Sequence, residues 1–292
     1  MARERKLIAD RLAFGEAPRW HAGRLWFSDF FDHAVKSVTE AGDLRIEFEL
    51  DDRPSGLGWC FDGSLLVVSM TNRAVLRRTT DGRLSHWADL SDLATFHCND
   101  MVVDAKGGAY VGNFGFDLNR DMDEKGVEAV LADHPTANLV YVSPSGVPRI
   151  VADEMHFPNG SAISTDHNTL LVAETLAGAI TAFDISDDGS LSNRRLWAPT
   201  WPRVPDGIAL DASGAIWIAN PLANECVRIA EGGAVLDVVE TDRPCYACAL
   251  GGADGKSLFM LTAEPSDERT YASARSGHLW AVAVEVPGAD VR

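Results

Sequence analysis

Four residues with hard oxygen donors stand at one phase of a recurring pattern: Glu16, Asn99, Asn159 and Asp206. Each opens an apolar stretch that leads through a turn into a second apolar run. Glu16 and Asp206 bring two negative charges. Asn159, and with it Asn99, brings neutral carbonyl oxygens. An all-oxygen set of low count suits one divalent cation, Ca²⁺, Mg²⁺ or Mn²⁺, with water or substrate completing the shell. Ca²⁺ is the foremost candidate, and Zn²⁺ or Fe²⁺ could also enter, since occupancy follows metal supply as well as ligand type. The competing reading is that Asn159-Gly160 and Asp206-Gly207 are only turn dipeptides. Turn chemistry does not account for Glu16, nor for acids and amides sharing one phase.

The elements that must position these residues repeat along the chain. Six copies begin near Glu16, Gly56, Asn99, Asn159, Asp206 and Tyr246, at intervals of 40, 43, 60, 47 and 40 residues. Their second runs include Leu25-Trp26-Phe27-Ser28, Leu65-Leu66-Val67-Val68 and Ile216-Trp217-Ile218-Ala219. β-branched and aromatic residues fill them, and Gly, Asp, Asn and Pro bound them, which is the pattern of short strands. A period of roughly 40–50 residues built from short strands predicts an all-β fold, a six-bladed β-propeller with four antiparallel strands per blade around a central channel. The equivalent anchors then form a ring about the axis. The whole chain, 1–292, reads as one domain. The sixth copy shows only three strands before the C-terminus, so Leu7, Ile8 and Ala9 are expected to supply its fourth and close the ring. Residues 287–292 are expected to fray. The long third interval holds an acidic insertion at 115–138, either a partial lid over one face or a solvated loop. Helical spacing is expected only at 126–132.

Composition narrows the partners. Acidic side chains number 43 against 26 basic ones, a formal charge of −17. Such a surface repels phosphate backbones and anionic lipid, so neither nucleic acid nor membrane is expected as a partner. No stretch approaches the roughly 20 apolar residues of a membrane span. The charged start is not followed by a signal-peptide core, which predicts a cytoplasmic protein. Cys60, Cys98, Cys226, Cys245 and Cys248 are odd in number and scattered, hence no disulfide framework. Cys245 and Cys248 lack partners for a zinc site and read as core thiols. There is no Gly-x-Ser-x-Gly elbow, His-x-x-x-His pair or phosphate-binding Gly loop.

Gly15-Glu16-Ala17-Pro18-Arg19-Trp20, Asn99-Asp100, Phe157-Pro158-Asn159-Gly160 and Pro205-Asp206-Gly207-Ile208, with residues 184–193 and Gly251-Gly252, resemble the motifs of a known family. It is the family of senescence marker protein (regucalcin), gluconolactonase and luciferin-regenerating enzyme. The resemblance spans nearly the whole chain in order. It implies a six-bladed propeller with one divalent metal in the channel, held by Glu16, Asn159 and Asp206. It implies that Asn99 lies beside the metal and contacts substrate or a metal-bound water, and that Asp206 acts as general base. The implied activity is hydrolysis of a small, sugar-type lactone. A related esterase or phosphotriesterase, or a non-catalytic calcium-binding propeller, are the alternatives. Members commonly carry Arg two residues before Asn99, where it grips substrate oxygens. His97 stands there instead, either bonding a ring oxygen or packing on the insertion. Phe114, Phe116, Trp201 and Tyr246 are candidate wall residues, with inter-blade core as the alternative.

Overall fold

The computed structural model describes residues 3–265 and 270–289. Among them, strands form six four-stranded antiparallel sheets, the blades of a propeller. The innermost strands are Gly15–His21, Pro54–Trp59, Cys98–Val103, Pro158–Ile163, Ile208–Leu210 and Cys245–Gly251. Each touches the next, and the last touches the first, so they enclose the channel. Closure is as expected. Arg5–Leu12 is the outermost strand of the sixth blade and pairs with Gly277–Ala283, Leu7 opposite Trp280 and Ala9 opposite Leu279. A sheet edge at the ring's seam is thereby covered.

One apolar cluster fills each interface between neighbouring blades. Val35 and Leu50 meet Leu57 and Val67 between the first and second blades. Leu66 and Val68 meet Met101 and Val111 between the second and third. Tyr110 and Leu139 meet Leu170 and Phe183, and Ala173 and Ile180 meet Ile208 and Ile218. Trp217 and Cys226 meet Cys248 and Met260, and Phe259 and Leu261 meet Phe27 and Leu25 across the seam. Each fully buried side chain of this size contributes about 1.5–3 kcal/mol. Cys226, Cys245 and Cys248 belong to this core as free, buried thiols.

A bulge recurs at the start of the inner strands. Pairing is irregular between Glu16 and Arg19, Pro54 and Leu57, Cys98 and Met101, Pro158 and Ser161, and Cys245 and Ala247. An extra residue in one strand re-aims the side chains around it. The bulges also fix the phase. Cys98 pairs with Asn113, Pro158 with Glu174 and Pro54 with Ser69, so Asn99, Asn159 and Ser55 are equivalent. The second-blade anchor is therefore Ser55, one residue before the Gly56 suggested by spacing.

The insertion is partly helical, with α1 at Leu118–Lys125 and α2 at Val127–Ala132. The second matches the expected helix. The first forms on a polar sequence because Asp117 caps it, accepting from the Arg120 N–H at 3.1 Å, and Lys125 and Arg120 pair with Asp121. Phe116 and Val130 anchor the insertion on Phe157 and Leu176, beside the inner-strand starts. A short helix, α3 at Tyr271–Ala274, follows in the sixth blade. The described part of the tail is tied down. Gly288 bridges Asp211, and Ala289 N–H donates to Leu210 O at 3.0 Å. Residues 290–292 lie outside the described residues. Among the described residues, no helix is long and apolar enough to cross a membrane.

Candidate functional site

The bulges bring Glu16, Ser55, Asn99, Asn159 and Tyr246 to one level of the channel, and Asp206 joins them from just before the unbulged strand of the fifth blade. Glu16, Asn99, Asn159 and Asp206 are 7%, 7%, 3% and 8% exposed. A hydrogen-bond relay runs round half of this ring. Ser55 Oγ donates to Asn99 Oδ1 at 3.1 Å, and Asn99 Nδ2 donates to Asn159 Oδ1 at 2.9 Å. Asn159 Nδ2 donates to Thr175 Oγ1 at 3.1 Å, and Thr175 Oγ1 to Pro205 O at 2.8 Å. The amides are thus locked in orientation by three blades. Asp206 is held through its backbone, its N–H donating to Ala219 O at 3.0 Å.

The residue after each anchor tests the turn reading. These residues are Ala17, Gly56, Asp100, Gly160, Gly207 and Ala247. A Cβ on Gly160 would lie 2.5 Å from Asp206 O, one on Gly207 2.7 Å from Ala247 Cα, and one on Gly56 2.4 Å from Met101 N. None of these glycines has positive φ. They are small because adjoining inner strands approach closely, so the turn reading of Asn159-Gly160 and Asp206-Gly207 fails. Asp100 alone bears a polar side chain at this level, and it is buried. Sequence reasoning gave Asp100 no role. The signal was available as a lone acid in a column otherwise Gly or Ala.

Three buried acids therefore crowd the axis. Burial raises Glu16 well above the ordinary carboxylate range, and the charges of Asp206 and Asp100 raise it further, against a weaker bond from Ala17 N–H. Burial and the charge of Asp100 likewise raise Asp206, opposed by the Asn159 amide. Burial raises Asp100, opposed by the Arg19 guanidinium. That guanidinium donates instead to Pro18 O and Met101 O, at 2.9 and 2.8 Å. Among the described residues, no Lys, Arg or His forms an ion pair with any of the three. Desolvating a carboxylate costs several kcal/mol, and the Ala17 N–H and Asn159 amide offset it only in part for Glu16 and Asp206. A divalent cation fits that deficit. Among the described residues no cluster of three or more His, Cys, Asp or Glu side chains is arranged to hold a metal. Glu16 and Asp206 offer carboxylate oxygens and Asn159 a carbonyl oxygen, whose second lone pair is left by the single bond from Asn99.

Among the described residues, the His97 side chain makes no hydrogen bond to this ring. It stacks on Phe96 with centroids 4.1 Å apart. Burial lowers its pKa, as does the nearby Arg53. Its carbonyl accepts from Phe114 N–H at 3.0 Å, at the foot of the insertion. Of the candidate wall residues, Phe114 and Tyr246 line a half-buried aromatic cluster with Phe14, Phe31 and Tyr271. Phe116 is core beneath the insertion. Trp201 is 63% exposed and forms no wall. Phe14 and Tyr271 escaped sequence reasoning because they lie outside the repeated runs, Phe14 just before an inner strand and Tyr271 at the start of α3.

These features define a class: a six-bladed propeller whose channel carries a buried carboxylate–amide ring without a counter-charge. Residues 14–264 match the SMP-30/Gluconolactonase/LRE-like region, and the chain belongs to that family. It is 26% identical over 268 residues to the pentonolactonase XacC of Haloferax volcanii, covering 88% of this chain and 84% of that one. It is 26% identical to the regucalcin of Danio rerio over 181 residues, 60% of this chain and 57% of that protein. Its fold is similar to that of a luciferin-regenerating enzyme, with a TM-score of 0.80 at 19% identity and full coverage of both chains. A calcium-binding regucalcin from Agrobacterium tumefaciens superposes with a TM-score of 0.79 at 19% identity, over 99% of this chain and 96% of that one.

Proposed function

We propose that this chain is a divalent-metal-dependent hydrolase that opens a small lactone. The observation that carries the reading is the pair of buried acids, Glu16 and Asp206, in a ring of oxygen donors with no cationic side chain to offset them. Relatives named pentonolactonase and gluconolactonase support the same reading. Glu16, Asn159 and Asp206 would hold the cation. When bound, it supplies Lewis-acid polarisation of the lactone carbonyl and offsets charge developing on that oxygen.

The chain's own residues do the rest. Asp206 takes a proton from the attacking water onto a carboxylate oxygen and returns it to the ring oxygen as the acyl C–O bond breaks. Water and lactone thus become one hydroxy acid. Its raised pKa moves it toward the range where a general base is effective, while metal ligation moves it back. Asn99, locked between Ser55 and Asn159, orients the substrate. Glu16 serves as ligand only. His97 meets the substrate farther out. Base uptake during turnover of a lactone panel, with and without chelator, tests this reading together with elemental analysis of protein purified without added metal. Chelator-sensitive ring opening supports it. Tight metal binding with no lactone, ester or phosphotriester turned over would favour a non-catalytic calcium-binding propeller instead.

A further inference from the structure

Glu174 ends the second strand of the fourth blade, Thr169–Glu174, and Thr175 follows it. Together they hold the segment that delivers Asn159. Pro158 pairs with Glu174, and the Thr175 N–H donates to Phe157 O at 3.1 Å. The His156 N–H donates to Glu174 Oε2 at 2.8 Å, and that carboxylate is itself paired with Arg194. Phe157 needs this support. Its φ of 57° lies in the left-handed region, which an aromatic residue keeps only where its surroundings impose it. The Asn159 side chain is held from the same place. Thr175 is buried, and its hydroxyl accepts from Asn159 Nδ2 at 3.1 Å and donates to Pro205 O at 2.8 Å. One hydroxyl therefore joins two of the three proposed ligands, Asn159 directly and Asp206 through the carbonyl that precedes it.

The relay has a direction, and a single group imposes it. An amide can turn over and exchange donor for acceptor, and a hydroxyl can do either. A carboxyl group, such as that of Asp206 beside this amide, accepts or donates according to whether it carries a proton. The Pro205 carbonyl is buried and can only accept. Thr175 must then donate to it and offer a lone pair to Asn159, which must turn its NH2 that way. Asn159 Oδ1 is left for Asn99 Nδ2, and Asn99 Oδ1 for Ser55 Oγ. Without the bond to Pro205 the amides could run in reverse with as many bonds between them, Asn159 Nδ2 to Asn99 Oδ1 and Asn99 Nδ2 to Ser55 Oγ. An NH2 group would then stand where Asn159 now offers oxygen. We propose that Thr175 is a positioning residue for the cation site: its hydroxyl passes the polarity of the Pro205 carbonyl into the relay and keeps the oxygen of Asn159 available to the metal. This rests on Asn159 being a ligand, as read above.

Two substitutions and one measurement on the unaltered protein test this. Thr175→Val keeps the shape and removes the hydroxyl, whereas Thr175→Ser keeps the hydroxyl and removes the methyl. In calorimetric titration, Ca²⁺ affinity should fall about tenfold in Thr175→Val, as when about a tenth of the molecules hold the competent orientation. It should stay within about twofold of wild type in Thr175→Ser. A Thr175→Val protein that melts lower in chelator but binds Ca²⁺ like wild type, or equal losses in the two variants, would overturn the proposal, since packing alone would then explain Thr175. Nuclear Overhauser contacts in the chelated wild type read the direction without metal or mutation. Those of the Asn159 NH2 should run to Thr175. Contacts of the Asn99 NH2 with Ser55 in their place would mean a reversed relay and overturn the proposal. The expected contacts in a wild type that binds neither Ca²⁺ nor Mn²⁺ would sustain the direction imposed through Thr175 and sink the metal reading.

Discussion

Two aspartates flank the short inner strand of the fifth blade, and their surroundings are opposite. Asp211 follows the strand and is 1% exposed; Asp206 precedes it and is 8% exposed. Burial alone would raise Asp211. Arg228 Nε at 2.6 Å, Ser213 Oγ at 2.7 Å and the Ser213 N–H at 2.8 Å reverse that and lower it. Asp206 has the Asn159 amide and like charges, and it is raised. The same contrast holds elsewhere. Asp29 is buried against Lys36, Glu174 against Arg194, and Asp52 under Thr71, Ser69 and the Asn72 N–H. The fold compensates the acids it needs for structure. The axial acids lack such partners, so their retention points to a ligand from outside.

Exchanging the roles of the two aspartates gives the largest expected effects. Asp206→Ala should abolish divalent-cation binding and lower lactone turnover by at least about 10³-fold, with the fold intact by circular dichroism. Asp211→Ala should leave cation affinity near wild type and cost about 3 kcal/mol of stability, because Arg228 loses its buried partner. Full activity in the Asp206 variant, or lost cation binding in the Asp211 variant, would erase the distinction.

Stability against pH sharpens it further. Glu16 and Asp206 have raised folded-state pKa values. Above the unfolded carboxylate pKa of about 4, the unfolded chain has released these protons while the folded chain still holds them. Folding is therefore linked to proton uptake, and stability falls as pH rises through the raised values. Asp211 has the opposite sign. Its contribution is present above about pH 4 and is lost as pH falls through its lowered value. In chelator, the melting temperature should decline from pH 5 toward neutrality. Saturating Ca²⁺ or Mn²⁺ should remove that decline and add about 2.7 kcal/mol at a hundredfold excess over Kd. A flat profile unaffected by cation would contradict an uncompensated axial cluster.

The repeat made the fold legible, because alternation and turn spacing are local properties that survive divergence between blades. Leu7, Ile8 and Ala9 could be assigned to the sixth blade because a ring must close. The anchors Glu16, Asn99, Asn159 and Asp206 were legible as one phase for the same reason. The bulge was not, since one extra residue changes a strand's aim without changing its composition. That is why spacing offered Gly56 where the register holds Ser55. Helix α1 was masked by its charge. The aromatic cluster was hidden because Phe14, Phe31 and Tyr271 come together only through tertiary contact, from segments outside the repeated strand runs.

Asp100 measures how much of the axial repulsion comes from beyond the proposed ligands. It raises both Glu16 and Asp206, and the Arg19 guanidinium only partly offsets it. Asp100→Asn keeps the shape and removes one charge. The chelated protein should melt higher, and the affinity for Ca²⁺ should fall by about tenfold, equivalent to one pKa unit of lost attraction. Calorimetric titration reads the second effect directly. Unchanged affinity would place Asp100 outside the field of the bound ion and confine the contrast with Asp211 to Glu16 and Asp206.

The smallest effect is expected outside the ring. His97 is half-buried, stacked on Phe96, and held neutral by burial and by Arg53. Restoring a guanidinium with His97→Arg adds hydrogen-bond donors for hydroxyl-bearing substrates without touching any proposed ligand. The ratio of kcat/KM between gluconolactone and dihydrocoumarin should rise about tenfold, while Ca²⁺ affinity stays within about twofold of wild type, because mutations at separate sites with no shared partner act nearly independently. Arg53, already beside this position, would repel the new charge, which limits the gain. Lost cation affinity in this variant would mean that the mouth and the ring are one coupled structure, and the separation between compensated periphery and uncompensated axis would have to be redrawn to include residue 97.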